Sequence, residues 1–351
     1  LVLPSQFSQP SPNVVLIISD DQAWTDYGFM VHPSIETPNL DKLAKQSVVF
    51  RRGYVPTPLC RPSLTTLATG LYAHQSLITG NDPANTKENQ AYAARSGKDI
   101  RELLISNVDR NLTLPRALAR QGYLTFQSGK WWEGSYQRGG FTHGMTRGYP
   151  QKGGRHGDDG LTIGRKGLNP ISEFMDLAIA SQKPFFLWYA PFLPHTPHNP
   201  PPRLLQKYQQ DGRPKALASY YAMCEWLDET CGELLDQLKN KGVDENTLVI
   251  YVTDNGWIQH PNGGYAARSK RSPYEGGTRT PIMFRWPGKM KPEERSELCS
   301  SIDIVPTILA AAGVAVPANL PGLNLLPNLQ QGTPVERNVI FGESFAHDMA
   351  D

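Results

Sequence analysis

Apolar residues along this chain form short continuous runs that alternate with longer amphipathic segments. The run 14–18 contains only Val, Leu and Ile, as expected for a strand that is buried on both faces. Thr37 and Pro38 fit the N-cap and first position of a helix. Further strands are predicted at 48–50, 124–128, 184–190, 247–253, 282–286 and 339–343, and further helices at 114–121, 171–180, 216–241 and 302–312. This alternation predicts an α/β fold in which helices cover both faces of a mainly parallel sheet.

Oxygen-bearing side chains follow two of the predicted strands. Asp20 and Asp21 come after the first strand, and Asp254 and Asn255 come after the strand 247–253. In open α/β sheets ligands collect outside the carboxyl ends of the strands, and carboxylate and amide oxygens suit Ca²⁺ and Mg²⁺ better than Zn²⁺. Each pair alone is equally compatible with an acidic turn or an Asx turn. The two pairs together predict one divalent-metal site.

Cys60 opens the run Cys-Arg-Pro-Ser-Leu-Thr-Thr-Leu-Ala-Thr-Gly at the start of a predicted helix. Free amides and the helix dipole favour an anion at such a position. A lone cysteine is most often a small buried hydrophobe, so two interpretations stay open for this motif alone. If the metal site lies beside it, Cys60 is both a nucleophile and a neighbour of the metal.

Three further segments carry candidate cations and a candidate histidine. Lys130 lies in Gly-Lys-Trp-Trp-Glu-Gly, His195 lies in Pro-His-Thr-Pro-His, and Lys270 begins Lys-Arg-Ser-Pro-Tyr-Glu-Gly-Gly-Thr-Arg. A charged loop is usually only solvated, so none of these segments decides a function alone. Two lysines and a divalent ion would together reduce the repulsion between a nucleophile and an anionic ester.

Taken together, these motifs resemble those of the type I sulfatases, the formylglycine-dependent branch of the alkaline phosphatase superfamily. The resemblance implies an alkaline-phosphatase-like fold, with an N-terminal linker at 1–12 and a catalytic domain at 13–351. It also implies that the family's C-terminal subdomain is largely absent from this chain. In the family the cysteine equivalent to Cys60 is oxidised to formylglycine by a maturation enzyme, the formylglycine-generating enzyme.

The resemblance also implies a role for each matching residue. The catalytic residues are Cys60, Lys130, His195 and Lys270. The metal site, for Ca²⁺ in preference to Mg²⁺, is formed by Asp20, Asp21, Cys60, Asp254 and Asn255.

Two positions depart from the family pattern. Leu64 stands where the family has an arginine that is both part of the maturation signal and a charge near the formylglycine. Trp132 stands where the family has a histidine that hydrogen-bonds the hydrated aldehyde. Arg61 or Arg279 could replace the lost charge. His143 or His156 could replace the lost histidine. We expect Cys60 to be converted despite Leu64.

Composition sets limits on the class of protein. The 351 residues carry a formal net charge of +2, which provides no general attraction to nucleic acid or to an anionic membrane. No apolar run reaches the roughly 20 residues of a membrane span. The four cysteines do not make a disulfide framework in a chain of this size. The polar stretch 1–12 is typical of a segment after a cleaved signal peptide, which favours a periplasmic or secreted location.

Three functions are compatible with the sequence. The favoured one is hydrolysis of sulfate esters, with a sulfated carbohydrate as substrate. The second is a phosphodiesterase or phosphonate monoester hydrolase of the same superfamily, which would share the metal and the nucleophile. The third is a non-catalytic protein that binds sulfated glycans, in which Leu64 and Trp132 mark lost activity.

Overall fold

A mixed, mostly parallel sheet of eight strands forms the centre of the computed structural model, which describes residues 11–209 and 212–349. A separate pair of two-residue strands, β3 and β10, lies outside it. The strands are β1 (Asn13–Ser19), β2 (Val48–Tyr54), β3 (Asp82–Pro83), β4 (Leu124–Gly129), β5 (His143–Gly144), β6 (Phe185–Ala190), β7 (Thr247–Thr253), β8 (Arg279–Arg285), β9 (Glu293–Ser300) and β10 (Asp348–Met349). The order in the large sheet is β5-β4-β6-β1-β7-β8-β2-β9, and only β8 runs antiparallel to its neighbours.

Helices cover both faces of this sheet. They are α1 (Pro38–Lys45), α2 (Cys60–Thr69), α3 (Ala73–Ser76), α4 (Lys87–Ser96), α5 (Ile100–Asp109), α6 (Leu114–Arg120), α7 (Tyr136–Gly139), α8 (Asn169–Ala180), α9 (Pro202–Tyr208), α10 (Lys215–Asn240), α11 (Glu275–Thr278), α12 (Ile304–Ala311) and α13 (Leu326–Gln331). Side chains on alternate positions of a strand point to opposite faces. Val14 and Leu16 accordingly pack with α2, α6 and α12, whereas Val15 and Ile17 pack with α1, α8 and α10. The predicted fold class is confirmed.

The register of the sheet determines where the site forms. In the parallel pair β1 and β7, Ser19 lies opposite Thr253, so the residues that follow both strands leave the sheet at the same level. The backbone amide of Asp254 donates to the carbonyl oxygen of Ser19, with an N–O distance of 2.8 Å. Strands β4 and β6 complete a block of four neighbours whose carboxyl ends share this edge. Lys130 follows β4 directly.

Gly129 turns the chain at the end of β4. Its φ of +79° lies in the left-handed region that favours glycine, and a Cβ built there would lie 1.8 Å from the carbonyl oxygen of Ala190. This close approach allows the amide of Lys130 to donate to the same oxygen at 2.7 Å. Glycine at position 129 therefore sets the point at which Lys130 leaves the sheet.

Some elements differ from the predictions. The predicted strand 339–343 is wrong, because that segment has no strand partner and exposes Val339 and Phe341. Strand β9 was not predicted, because its sequence is charged and only three of its eight residues are buried. Of the predicted linker 1–12, residues 1–10 lie outside the described part of the chain.

All four cysteines are buried and free, as expected for a chain without a disulfide framework. None of the described helices combines the length and the apolar character that crossing a lipid bilayer requires.

Candidate active site

The ends of β1 and β7 bring four oxygen-bearing side chains together. The Oδ1 atom of Asp254 accepts from the amide of Asp21 at 3.0 Å, and the Asn255 side-chain amide donates to Asp21 Oδ1 at 2.7 Å. Asp20 completes the group, and all four residues are at most 2% exposed. Residues 233 or more positions apart in the chain thus form one buried cluster.

Three oxygens of this cluster have no hydrogen-bond partner in the described structure: Oδ2 of Asp20, Oδ2 of Asp254 and Oδ1 of Asn255. A buried acceptor without a partner is costly. Burial, followed by repulsion from Asp20, raises the pKa of Asp254 well above its usual range. A divalent cation would satisfy the three oxygens and remove the repulsion, and Ca²⁺ prefers oxygen ligands of this kind. The residues present therefore fit a hard divalent ion.

Cys60 lies beside this cluster at the first position of α2. Asp20, Asp21, Cys60 and His195 each offer one ligand atom, and these atoms all lie within 4.8 Å of one another. The Cys60 side chain is 1% exposed, and burial raises the pKa of its thiol to about 12. The unmodified thiol is therefore protonated at neutral pH and is a poor nucleophile.

Two buried lysines surround the cysteine and the carboxylates. Lys270 Nζ donates to both oxygens of Asp21, at 2.6 and 2.7 Å, and to Cys60 Sγ at 3.1 Å. Lys130 Nζ donates to Asp20 Oδ1 at 2.7 Å. Burial is the largest single effect and opposes the charged form of each lysine, but the neighbouring acidic groups, the adjacent aspartate first among them, together outweigh it and raise the lysine pKa above its usual value. Both side chains are therefore cations directed at the space around Cys60.

His195 reaches the same cluster from the loop after β6. Its Nδ1 atom lies 2.6 Å from the carbonyl oxygen of Thr196, which can only accept, so Nδ1 carries a proton. Its Nε2 atom lies 3.3 Å from Asp21 Oδ2. The Phe192 ring stacks on the imidazole with centroids 4.3 Å apart, and Arg165 donates to the carbonyls of Phe192 and His195. These contacts fix the ring with Nε2 toward the cluster.

Every residue of the predicted site is thus brought to one edge of the sheet.

Comparison with known proteins identifies the arrangement. The family model described as Sulfatase matches residues 12–314. The chain belongs to the sulfatase family. Sulfatases are sulfuric ester hydrolases, and this chain is an enzyme of that class.

Curated relatives and solved structures agree with the family model. Human arylsulfatase A is 31% identical over 91% of this chain and 68% of the relative. Human N-acetylgalactosamine-6-sulfatase is 30% identical over 94% of this chain and 68% of the relative. The crystal structure of Ps i-CgsB superposes with a TM-score of 0.75 at 27% identity, covering 92% of this chain and 77% of the other. The alkaline-phosphatase-like fold expected from the motifs is confirmed.

Leu64 of this sulfatase contributes no charge to the site. It lies one turn after Cys60, is 3% exposed and packs in the apolar core with Leu67. Arg61 is fully buried but forms a two-pronged ion pair with Glu133, at 2.7 and 2.8 Å. Its charge is therefore already balanced.

Arg279, the other arginine that the sequence offered, is also engaged elsewhere. Its guanidinium lies 3.8 Å from the centre of the Trp24 ring and donates to the carbonyl of Arg51 and to Glu275. Among the described residues, no hydrogen bond or ion pair joins the side chain of Arg279 or Arg61 to Cys60, because both arginines are engaged elsewhere.

The two histidines proposed for the Trp132 position differ in location. His143 lies in β5 at the edge of the sheet, where it contacts Thr142 and Phe174. His156 packs against Trp132 with ring centroids 5.2 Å apart, and its carbonyl accepts from the amide of Trp131. Its Nδ1 atom is buried without a hydrogen-bond partner in the described structure. Only His156 therefore lies near this sulfatase's candidate site.

Proposed function

We propose that this sulfatase hydrolyses sulfate esters of a carbohydrate with a formylglycine formed from Cys60 and a calcium ion held by strand-end oxygens. One observation carries the proposal. Three buried oxygens without hydrogen-bond partners, from Asp20, Asp254 and Asn255, belong to the strand-end cluster whose Asp20 and Asp21 lie beside the cysteine of the sulfatase motif. Asp21 completes the proposed ligand set, with position 60 adjacent to the ion. Mg²⁺ is the less favoured ion because it demands a small octahedral site.

Formylglycine and a divalent ion would supply the chemistry of ester cleavage. A hydrated formylglycine at position 60 would supply the attacking hydroxyl and, through its second hydroxyl, a route for the release of sulfate. A divalent ion stabilises the negative charge that develops on the ester oxygens. Position 60 suits an anionic group, because it begins α2, where the positive end of the helix dipole lies.

Lys130 and Lys270 bind the sulfate ester in this proposal. Both are buried cations, and Lys270 Nζ is already 3.1 Å from Cys60 Sγ. Fixed positive charges in a buried site need no reorganisation as negative charge develops, which is usually the largest single term in catalysis. In this proposal a protonated His195 donates from Nε2 to an ester oxygen, because Nδ1 donates to the Thr196 carbonyl.

We infer that His156 takes the role of the histidine that Trp132 replaces. Two observations support this inference: the His156 ring contacts the Trp132 ring, and the buried Nδ1 atom of His156 has no hydrogen-bond partner among the described residues. Burial, together with repulsion from Lys130 and Arg155, lowers the pKa of His156 to about 3. A neutral imidazole can donate one hydrogen bond and accept another, as binding to a hydrated aldehyde requires.

The carbohydrate part of the proposal rests on the relatives. One curated relative is an N-acetylgalactosamine-6-sulfatase, and Ps i-CgsB has been crystallised with k-i-k-neocarrahexaose. Because sulfated glycans are extracellular polymers, we also propose a periplasmic or secreted location. The formylglycine-generating enzyme is the partner that the proposal requires.

The test is sulfate release from a panel of sulfated saccharides by protein made in its native host. We expect turnover of at least one sulfated saccharide, loss of turnover after chelation, and recovery with Ca²⁺. Mass spectrometry of the Cys60 peptide should show an aldehyde. Faster turnover of phosphate or phosphonate esters would instead favour the rival hydrolase, and binding without turnover would favour a non-catalytic protein.

A further inference from the structure

Arg155 is a partly exposed cation beside the Trp132 end of the candidate site. The residue belongs to the glycine-rich loop before His156 and its side chain is 46% exposed. Its guanidinium carbon lies 4.6 Å from the centre of the Trp132 ring, on which it forms a cation–π contact. Because Trp132 comes two residues after Lys130, this contact places Arg155 next to the buried lysine's segment.

Asp82 holds one edge of this guanidinium. Nε of Arg155 donates to Asp82 Oδ1 at 2.9 Å, and Nη2 donates to Asp82 Oδ2. Nη1 has no hydrogen-bond partner among the described residues, so the opposite edge is open. A guanidinium with one edge fixed and the other open is already oriented to bind an anion through two parallel hydrogen bonds.

Hydrogen bonds connect this pair to the residue after the nucleophile. Asn81 precedes Asp82, and its Oδ1 atom accepts from the backbone amide of Arg61 at 2.9 Å. The Asp82 carboxylate is therefore tied to the first turn of α2.

We propose that Arg155 binds the sulfate ester of the substrate from the solvent side, in place of the family arginine that Leu64 replaces. Trp132 and Asp82 position the guanidinium, and its open edge faces the anion. The inference rests on the proposed function, because it assigns Arg155 to the same sulfate ester. The inference links the two departures from the family motif. Leu64 removes the family arginine, and Trp132 holds Arg155, a cation from another loop that replaces it.

A purely structural role for Arg155 makes a different prediction. Asp82 also accepts from Arg101 Nη2 at 2.6 Å, so it keeps a partner when Arg155 is removed. A partly exposed ion pair contributes little to stability. Arg155→Met should therefore fold as well as the wild type, and its defect should be in substrate binding.

The experiment compares Arg155→Met and Arg155→Lys with a matched control, Arg147→Met. Arg147 is an exposed arginine of the same loop region that pairs with Asp159. With a saccharide sulfate that the wild type hydrolyses, Arg155→Met should raise KM at least about 10-fold with an unchanged melting temperature. Arg155→Lys should recover part of the loss, and Arg147→Met should match the wild type. An unchanged KM in Arg155→Met would overturn the inference.

A binding measurement separates this inference from the proposed function. Inorganic sulfate is titrated into the Cys60→Ser protein with and without Arg155→Met, so that no turnover is needed. Sulfate binding at least about 10-fold weaker without Arg155 supports the inference even if no sulfate ester is hydrolysed. Equal sulfate binding by the two proteins overturns it even if the wild type is an active sulfatase. Arg155→Gln replaces Arg155→Met if the methionine variant does not fold.

Discussion

The strand-end half of the candidate site and its entrance half are built differently. Asp20, Asp21, Asp254 and Asn255 leave adjacent parallel strands, are buried and are joined by hydrogen bonds. The entrance half instead consists of the loop residues Trp132, Arg155 and His156 and the first turns of helix α2, whose Leu64 is buried in the core. Both departures from the family motif, Leu64 and Trp132, belong to these segments. Sheet register fixes the first half, because one shifted residue would turn its carboxylates away. Loops fix the second half, so its charges can come from other positions.

The largest expected effect comes from the residue between the two halves. Cys60→Ala removes the proposed nucleophile, and we expect turnover of the saccharide sulfate to fall by at least about 10³-fold, as for other covalent catalysts. The protein should still fold, because alanine fits a buried position. Cys299→Ala removes another buried cysteine and should keep activity. If Cys60→Ala turned over the saccharide sulfate about as fast as the wild type, Cys60 would not be the nucleophile.

Weakening the strand-end half should have the next largest effect. Asp254→Asn removes one carboxylate, and we expect calcium content and turnover to fall by about 10² or more, because both depend on one ion. Metal analysis and sulfate release measure the two quantities. Asp159→Asn changes an exposed carboxylate and is the control. Full activity and full calcium content in Asp254→Asn would contradict the metal assignment.

Restoring the family residue in the entrance half should destabilise the fold. Leu64→Arg places a cation in the apolar core, where an unpaired buried charge costs about 3–5 kcal/mol. Thermal unfolding should show the loss, whereas Leu177→Arg, at an exposed leucine of α8, should change stability by less than about 0.5 kcal/mol. A stable, more active Leu64→Arg protein would show that the entrance half still accepts the family arginine.

His156 should have a smaller effect on turnover. We expect His156→Asn to lower kcat by about 10-fold or more, because general acid–base and hydrogen-bonding groups contribute at least that much. His143→Asn changes the histidine at the edge of the sheet and should keep wild-type kcat. Equal kcat values for the two variants would leave the Trp132 position without a replacement histidine.

The smallest effect is on the pH dependence of stability. Burial raises the pKa of Asp26 to about 7, against the hydrogen bond from Tyr220. The folded state therefore binds more protons than the unfolded state between about pH 4 and pH 7, and this group's contribution to stability is lost as pH rises through that range. Asp26→Asn should remove a slope of at most about 1.4 kcal/mol per pH unit. Parallel denaturation profiles of wild type and variant would contradict this.

The sequence predicted the residues of the strand-end half because a single local pattern identifies them. A continuous apolar run followed by acidic residues identifies both a buried strand and its carboxyl end, and two such strands pair in parallel in the sheet. Strand β9 lacked that signal because it is a charged edge strand. The segment 339–343 had an apolar sequence but found no strand to pair with.

The entrance half could not be predicted in the same way. Arg155 and Asp82 are 73 residues apart, and nothing in either segment indicates the other. Arg61 lies next to Cys60 in sequence, yet its side chain is neutralised by Glu133. Proximity along the chain therefore does not decide which cation faces the site, because a helix turns neighbouring side chains in different directions.

The burial of Cys60 has a consequence for biosynthesis. A side chain that is 1% exposed beneath two lysines cannot enter the catalytic cleft of another enzyme while the native fold persists. If Cys60 is converted to formylglycine as proposed, the conversion must precede tertiary folding, so the rate of folding sets the fraction of molecules that become active. A host that folds this polypeptide faster than it oxidises position 60 would accumulate well-formed but inert protein.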